Sequence, residues 1–345
     1  MLVTKNVRKL TAYTPGEQPK AKDVVKLNTN ENPYPPSPEC AKVLAGFDLD
    51  KLRRYPDPEF SELRKAIAKM VRAKAENIFI GNGSDEILAL AAKAFVENDE
   101  VIGSLDPSYS LYKTLAAIRD VEWCGFDDLC DVKGSSANKL ALFLLTNPNA
   151  PTGVLKPCAE VAAFAKRFKG VVMVDEAYAD FSRENCMSLA TAEGNANVIV
   201  MRTFSKSFSL AGLRVGYCVG PKPLIDALYK VKDSYNVDAV AQAVALAAVK
   251  DAKWMRANVR KVVTTKRRFV AELQRRGWDV MPSESNFVFA RPAHAKASEI
   301  FERLRGRHIY VRYFSGPKTA DRLRVTIGTD GQMAKLIAAL DEFDR

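Results

Sequence analysis

VVMVDEAY at residues 171–178 and NVIVMRTFSKS at residues 197–207 decide the fold of this chain. Each begins as a short, continuous apolar run and ends in polar residues, which is typical of a strand buried on both faces of a parallel sheet. Similar runs precede them at 77–80, 100–104 and 141–148, and segments with helical periodicity separate them. Strands that alternate with helices predict a mainly parallel sheet covered on both faces, which defines the α/β class.

The pattern changes after about residue 220. Two long helical stretches run to Trp278, and short strands with flanking helices follow to the end of the chain. We therefore predict a large α/β domain over residues 28–235 and a smaller α+β domain formed by residues 1–27 and 236–345. The first 27 residues have little periodicity, and we expect them to pack against the smaller domain.

Composition excludes several classes of protein. The 345 residues are 47% apolar and contain only two histidines, His294 and His308, in no HxxxH or HExxH spacing. This disfavours a histidine-based metal site or catalytic triad, and we predict no metal. The six cysteines form no CxxC pair, no signal peptide is recognisable, and no apolar run approaches the ~18 residues of a membrane span. We expect a cytoplasmic protein without a membrane partner.

The formal charge of +11 raises the question of a nucleic-acid partner. The segment from Trp254 to Trp278 carries eight Lys or Arg residues against one Glu. Aromatic residues are not interleaved with these charges as in a nucleic-acid surface, so we predict a solvated helix face and no nucleic-acid binding.

Polar clusters follow four of the predicted strands, at 81–85, 147–149, 175–178 and 205–207. In open α/β sheets, ligands bind beyond the carboxyl ends of the strands, so we expect these clusters to meet. The Gly81–Ser84 turn opens a predicted helix, whose backbone N–H groups and dipole favour an anion. A simple tight turn would explain this motif equally well on its own.

The other polar residues narrow the choice of ligand. Asp175 ends an apolar strand, where a buried carboxylate needs a cationic partner; a protonated ring nitrogen, a structural Arg or a helix N-terminus would each serve. A desolvated Lys206 becomes an amine nucleophile, although a lone lysine is more often a surface charge. Arg214 and the hydroxyls of Thr203 and Ser205 can serve the same anion as the glycine turn. A phosphate, a ring nitrogen and an aldehyde together indicate pyridoxal 5′-phosphate (PLP).

The chain resembles the class II aminotransferases of fold type I, and most closely the histidinol-phosphate aminotransferases. The motifs that carry the resemblance run nearly end to end: LNTNENPYPPSP (27–38), RYPDP (54–58), GNGSDE (81–86), NPNAPTG (147–153), VDEAY (174–178), TFSKSFSLAGLRVGY (203–217), NFVFA (286–290) and LRVTIGT (323–329). The resemblance implies the PLP-dependent transferase fold, with a large domain and a smaller one.

The resemblance also implies roles for individual residues around the cofactor. Lys206 would form a Schiff base with PLP and move the substrate proton, Asp175 would pair with the ring nitrogen, and Tyr109 would stack on the ring. Tyr178 and Asn147 would hydrogen-bond the phenolic oxygen. The phosphate would be held by the following residues: Gly83, Ser84, Asp85, Thr203, Ser205 and Arg214.

Further residues are implied at the substrate. Arg324 would clamp its anionic group, Arg312 would assist with a substrate phosphate, and Tyr13 would close over it. Tyr55 would reach the cofactor phosphate of the partner subunit, which implies a homodimer. Ala150 departs from the family pattern, in which Asn is usual, and we expect little effect because Asn147 is intact.

The implied reaction converts L-histidinol phosphate and 2-oxoglutarate to imidazole-acetol phosphate and L-glutamate. Two other activities use the same cofactor motifs: aromatic amino-acid transamination and threonine-phosphate decarboxylation. Arg312 argues modestly against the first of them. A basic nucleic-acid-associated protein on the same fold stays open as a non-enzymatic alternative.

Overall fold

The computed structural model describes residues 2–10, 16–19, 23–134, 138–192 and 194–342. The strands are β1 (Val25–Lys26), β2 (Ile78–Gly81), β3 (Val101–Leu105), β4 (Glu122–Phe126), β5 (Leu140–Thr146), β6 (Val171–Asp175), β7 (Val198–Thr203), β8 (Gly216–Val219), β9 (Asp279–Val280), β10 (Phe287–Arg291), β11 (Ile309–Tyr310), β12 (Arg312–Tyr313) and β13 (Leu323–Thr326).

Helices lie between the strands and along both ends of the chain. They are α1 (Lys5–Lys9), α2 (Pro38–Ala45), α3 (Ser61–Val71), α4 (Gly83–Phe95), α5 (Leu111–Arg119), α6 (Cys158–Arg167), α7 (Met187–Thr191), α8 (Lys222–Val231), α9 (Ala239–Lys250), α10 (Ala252–Arg275), α11 (Ala297–Gly306) and α12 (Asp330–Asp341).

The large sheet has seven strands in the order β2-β8-β7-β6-β5-β3-β4. Strands β3 to β7 run parallel to their neighbours among themselves, whereas β8 is antiparallel to both β2 and β7. Alternate side chains serve two cores: Val172 and Val174 face one side, and Met173 faces the other. The predicted α/β class, with a mainly parallel sheet between helices, is confirmed.

The C-terminal part forms an antiparallel sheet in the order β12-β13-β10-β9. Strand β1 pairs in parallel with β11, so residues 25–26 contact the C-terminal part. Helix α9 packs against α2 and α3, and the Cys40 thiol contacts the Val244 carbonyl. The domain boundary at residues 235 and 236 stays a prediction.

Three features differ from the sequence-based predictions. In the large sheet the strands β4 and β8 are additional, and three helices rather than two run between residues 222 and 275. Within α10, Lys266 is not solvated: it is buried and donates to the carbonyls of Ser283 and Ser285. Across the described part of the chain, no helix combines the length and apolar character required to cross a membrane.

Candidate active site

A cavity of about 740 Å³ lies between the carboxyl ends of the large-sheet strands and the C-terminal sheet. Most of the residues singled out from the sequence line it: Ser84, Asp85, Tyr109, Asp175, Tyr178, Thr203, Ser205, Lys206, Arg214, Arg312 and Arg324. Residues far apart in the sequence meet there because parallel strands end at the same edge of a sheet.

Lys206 follows β7 and extends into the cavity. Its Nζ donates to the Thr29 carbonyl at 3.0 Å and lies 5.9 Å from the centre of the Tyr178 ring. Desolvation by the surrounding protein lowers the pKa of Lys206 to about 8, and the charge of Arg324 acts in the same direction. A fraction of this amine is therefore neutral near physiological pH and can act as a nucleophile.

Asp175 ends β6 at the base of the cavity and is only 4% exposed. Its oxygens accept from the Tyr112 hydroxyl at 3.0 Å and from the Ala177 N–H at 3.1 Å. Burial raises the pKa of Asp175 to about 6, and the neighbouring carboxylates Asp85 and Glu176 add to the increase. A buried carboxylate in this position suits a cationic ligand atom, which would favour its ionised form.

The side of the cavity next to α4 offers an anion site. Ser84 lies in the first turn of this 13-residue helix, where backbone N–H groups point outward. Across from it, the Thr203 hydroxyl donates to Ser205 at 2.9 Å, and Arg214 lies 3.5 Å from Asp85. The backbone N–H groups at the start of α4, the Ser205 hydroxyl and the Arg214 guanidinium can hold a phosphate.

Gly83 makes this arrangement possible. Its φ of +80° belongs to the left-handed region, and a Cβ there would lie 2.7 Å from the Arg214 guanidinium. Gly216 at the start of β8 is also needed, because a Cβ there would lie 2.8 Å from the Ser84 nitrogen. Both glycines let Arg214 and β8 approach the helix start closely.

Two arginines face each other on the other side of the cavity. Arg312 on β12 pairs directly with Arg324 on β13 in the antiparallel ladder. Arg324 also donates to the Asn28 carbonyl at 2.9 Å, and both guanidinium groups lie over the Phe314 ring. Like charges directly opposite each other destabilise a sheet, so this pair suits an anionic ligand.

Two tyrosines complete the wall. The Tyr178 hydroxyl accepts from the Asn30 amide at 3.0 Å, and its ring packs edge-on against Phe287. Tyr109 donates to Asp85 at 3.2 Å and packs edge-on against Tyr112. Asn30 and Tyr112 were not singled out from the sequence. Tyr112 could have been found from the sequence, because it follows Tyr109 by three residues in a segment with helical periodicity. Asn30 lies in a loop without periodicity, which gives no such signal.

Asn147 is not brought to the cavity. Its amide nitrogen donates to the Lys156 carbonyl at 2.9 Å, and its oxygen accepts from the Lys156 N–H at 2.8 Å. Both polar atoms therefore close the loop that follows β5. Ala150, where the chain departs from the family pattern, does line the cavity. The expectation that this departure has little effect stays a prediction.

Two further residues lie elsewhere. Tyr55 is 80% exposed and stacks on Tyr235 with ring centres 4.3 Å apart, away from the cavity of its own chain. Tyr13 lies outside the described residues. Their predicted roles stay predictions.

The fold is that of an aminotransferase. The chain matches the family "Aminotransferase class I and II" over residues 22–340, and it belongs to this family. It is an enzyme of the transferase class.

Several members of this family are similar to the chain over nearly its whole length. The chain is 44% identical to histidinol-phosphate aminotransferase 2 of Rhizobium meliloti (strain 1021), over 97% of both chains. It is 42% identical to the histidinol-phosphate aminotransferase of Acetobacter pasteurianus, over 97% of this chain and 95% of the relative. Among solved structures, it resembles the histidinol-phosphate aminotransferase from Sinorhizobium meliloti in complex with PLP, with a TM-score of 0.90 and 25% identity over 100% of this chain and 98% of that one.

Proposed function

We propose that this chain is a PLP-dependent transaminase of histidine biosynthesis that interconverts L-histidinol phosphate and 2-oxoglutarate with imidazole-acetol phosphate and L-glutamate. The observation that carries the proposal is the pair Arg312 and Arg324, which lie opposite each other in the cavity that also holds Lys206 and Asp175. The names of the curated relatives support the same reaction.

PLP fits the charges of this cavity. Its phosphate suits the N-terminus of α4 together with Arg214, and its aldehyde suits the amine of Lys206. Its protonated ring nitrogen suits Asp175, because this buried carboxylate accepts hydrogen bonds from two neutral donors, the Tyr112 hydroxyl and the Ala177 N–H, which do not compensate its charge. When bound, PLP supplies an electron sink for the negative charge that develops on the substrate carbon.

Lys206 is the group that moves the proton at this carbon. With a pKa of about 8, about a tenth of the amine is neutral at pH 7 and can accept a proton, and the ammonium form can return it. The Thr29 carbonyl, 3.0 Å from Nζ, orients the amine without adding a charge.

Arg312 and Arg324 account for the two substrates. One substrate carries a phosphate and the other a second carboxylate, and a guanidinium binds either anion through two parallel hydrogen bonds. Because the same cavity alternates between the two, a cation pair that accepts both anions serves both half-reactions.

A panel of amino donors tests the substrate. The purified chain is loaded with PLP, mixed with L-histidinol phosphate, L-phenylalanine or L-threonine phosphate in turn, and followed by its visible absorbance. We expect conversion of the chromophore with histidinol phosphate, and its recovery on adding 2-oxoglutarate. Conversion with phenylalanine alone would contradict the proposal in favour of an aromatic aminotransferase, and carbon dioxide release from threonine phosphate would establish a decarboxylase.

Variants of the two cavity arginines test whether these residues bind the substrate. Arg312→Gln and Arg324→Gln should each weaken histidinol phosphate binding by about tenfold or more, since each removes a charge-assisted hydrogen bond. Arg322→Gln is the matched control, because Arg322 is on the same chain segment but pairs with Asp279 outside the cavity. Equal effects of all three changes would mean that the pair does not bind the substrate.

We further propose that the chain acts as a homodimer in which Tyr55 serves the partner's cavity. Tyr55 is strongly exposed and lines a second cavity of about 410 Å³. In the same segment of the chain Leu49 is strongly exposed, and Leu44 and Leu52 are more than half exposed. Exposed apolar patches of this kind mark protein interfaces.

Subunit mixing tests this arrangement. A dimer of one Lys206→Ala and one Tyr55→Phe subunit contains a complete site, formed by Lys206 of one subunit and Tyr55 of the other. We expect the mixture to exceed the summed activity of the separate variants. Merely additive activity, or a monomeric mass by light scattering, would overturn the proposal.

A cytoplasmic location also belongs to this proposal. The six cysteines are free thiols, and three of them, Cys40, Cys186 and Cys218, are buried as small apolar side chains. Free thiols suit a reducing compartment. Fractionation of the producing cells, with the protein detected by antibody, tests it.

A further inference from the structure

Asn30 occupies an unusual place in the loop between β1 and α2. It is 1% exposed, and its φ of +56° lies in the left-handed region. A residue other than glycine keeps this backbone conformation when its surroundings hold it, and Asn tolerates it better than most. The hydrogen bonds around Asn30 identify what holds it.

Three hydrogen bonds tie Asn30 to the C-terminal sheet. Its N–H donates to the Thr326 hydroxyl at 3.0 Å, and this hydroxyl donates in turn to the Asn30 side-chain oxygen at 2.9 Å. The Asn286 amide donates to the Asn30 carbonyl at 2.9 Å. Because the side-chain oxygen of Asn30 accepts from Thr326, its amide nitrogen faces away from Thr326.

That nitrogen donates to the Tyr178 hydroxyl at 3.0 Å. An amide nitrogen can only donate, so the Tyr178 oxygen accepts in this bond and its own proton is not used in it. The Tyr178 ring packs edge-on against Phe287, which begins β10 next to Asn286. Both the ring and the hydroxyl of Tyr178 are therefore set by the C-terminal sheet.

We propose that Asn30 is a positioning residue that fixes the direction of the Tyr178 hydroxyl proton toward the cavity and connects Tyr178 to β13. This inference rests on the proposed function, because the proton is useful where a bound cofactor presents an acceptor oxygen. Strand β13 also carries Arg324, two residues before Thr326. One chain of hydrogen bonds thus links the strand of a substrate-binding arginine to a residue beside the cofactor.

Two substitutions distinguish an effect on the direction of the Tyr178 hydroxyl proton from an effect on the structure of the loop. Asn30→Asp keeps the shape but replaces the donor with a carboxylate, so Tyr178 must turn its proton toward residue 30. Asn30→Gly removes the side chain and keeps the left-handed backbone accessible. Tyr178→Phe provides the reference for complete loss of the hydroxyl.

The readout is the pH midpoint of the visible absorbance of the PLP-loaded chain. We expect Asn30→Asp to shift this midpoint to within a few tenths of a pH unit of the Tyr178→Phe value, and Asn30→Gly to shift it part of the way. In the cofactor-free chain, the tyrosinate absorbance assigned to Tyr178 by difference should titrate at higher pH in Asn30→Asp, because a neighbouring carboxylate disfavours the phenolate.

Asn258→Asp is the matched control, since Asn258 is equally buried and its amide also donates, to the Pro35 carbonyl, but it does not line the cavity. It should leave the midpoint unchanged. A folded Asn30→Asp or Asn30→Gly chain with the wild-type midpoint would overturn the inference. If both fail to fold, Thr326→Val, which removes the partner of the Asn30 oxygen, must shift the midpoint in the same direction.

These outcomes are distinct from failure of the proposed function. A chain that binds PLP but ignores histidinol phosphate still yields a midpoint, so the role of Asn30 can be decided. A chain without a chromophore in added PLP would contradict the proposed function itself, and the tyrosinate titration would then decide the bond between Asn30 and Tyr178.

Discussion

Replacing Asp175 by Asn should stabilise the cofactor-free chain and weaken its affinity for PLP. The Asp175 carboxyl is buried, and its pKa is raised from an ordinary value of 3.8 to about 6. The folded chain therefore resists ionisation of this group. Above about pH 6 the carboxyl is ionised in both the folded and the unfolded chain, and its burial destabilises the fold. This destabilisation is lost as the pH falls from about 6, where the folded chain takes up the proton, to 3.8, where the unfolded chain does so as well.

The magnitude follows from the two pKa values. A pKa of about 6 against 3.8 corresponds to roughly 3 kcal/mol of destabilisation at pH 8. Asn removes this charge but cannot accept from the Tyr112 hydroxyl through its nitrogen, which costs about 1 kcal/mol. We expect a net gain of about 2 kcal/mol in the free energy of unfolding of the cofactor-free variant.

Urea unfolding of both cofactor-free proteins at pH 8 and at pH 4.5 measures the effect. The gain should be present at pH 8 and mostly lost at pH 4.5. Equilibrium dialysis should show a PLP affinity at least tenfold weaker for the variant, since a neutral amide cannot pair with a cationic ring nitrogen. A variant that is less stable at pH 8, or a gain that does not depend on pH, would refute the assignment of a buried, costly carboxylate.

Other consequences are open to direct measurement. Loading of PLP, followed by stopped-flow absorbance, should accelerate as the pH rises through about 8, because the neutral form of Lys206 attacks the aldehyde; a rate independent of pH would contradict this. Gly83→Ala should weaken PLP binding by about tenfold in a dialysis assay, since its Cβ would displace Arg214; unchanged affinity would place the phosphate elsewhere. Lys318 lines the cavity and forms exposed ion pairs with Asp106, which also lines it, and with Asp127. Lys318→Ala should raise KM up to about fivefold without lowering the thermal midpoint; a fall of several degrees would mean a structural role instead.

Much of the fold could be predicted because buried parallel strands have a strong sequence signature. The apolar runs at 171–178 and 197–207 contain the two central strands. Strand β8 gives no such signal, because its four residues begin at Gly216 directly after the polar loop that carries Lys206. Strand β4 is an edge strand with partly exposed residues, so it lacks both a continuous apolar run and a regular alternation.

The sequence predicts most of the residues that line the candidate site, but it does not predict the directions in which their side chains point. Lys206, Asp175 and Arg214 lie at the cavity as their motifs indicate. Asn147 does not, because its amide faces the Lys156 backbone rather than the ligand side. Asn30 escaped notice because the value of a left-handed loop residue depends on partners almost 300 positions away, which no local pattern reveals.

Borohydride reduction of the PLP-loaded chain, followed by peptide mass mapping, tests directly whether Lys206 holds the cofactor. We expect a yellow protein, a pyridoxyl-phosphate mass on the peptide that contains Lys206, and no such mass in a Lys206→Ala variant. A colourless chain in added PLP, or the mass on a peptide without Lys206, would contradict it.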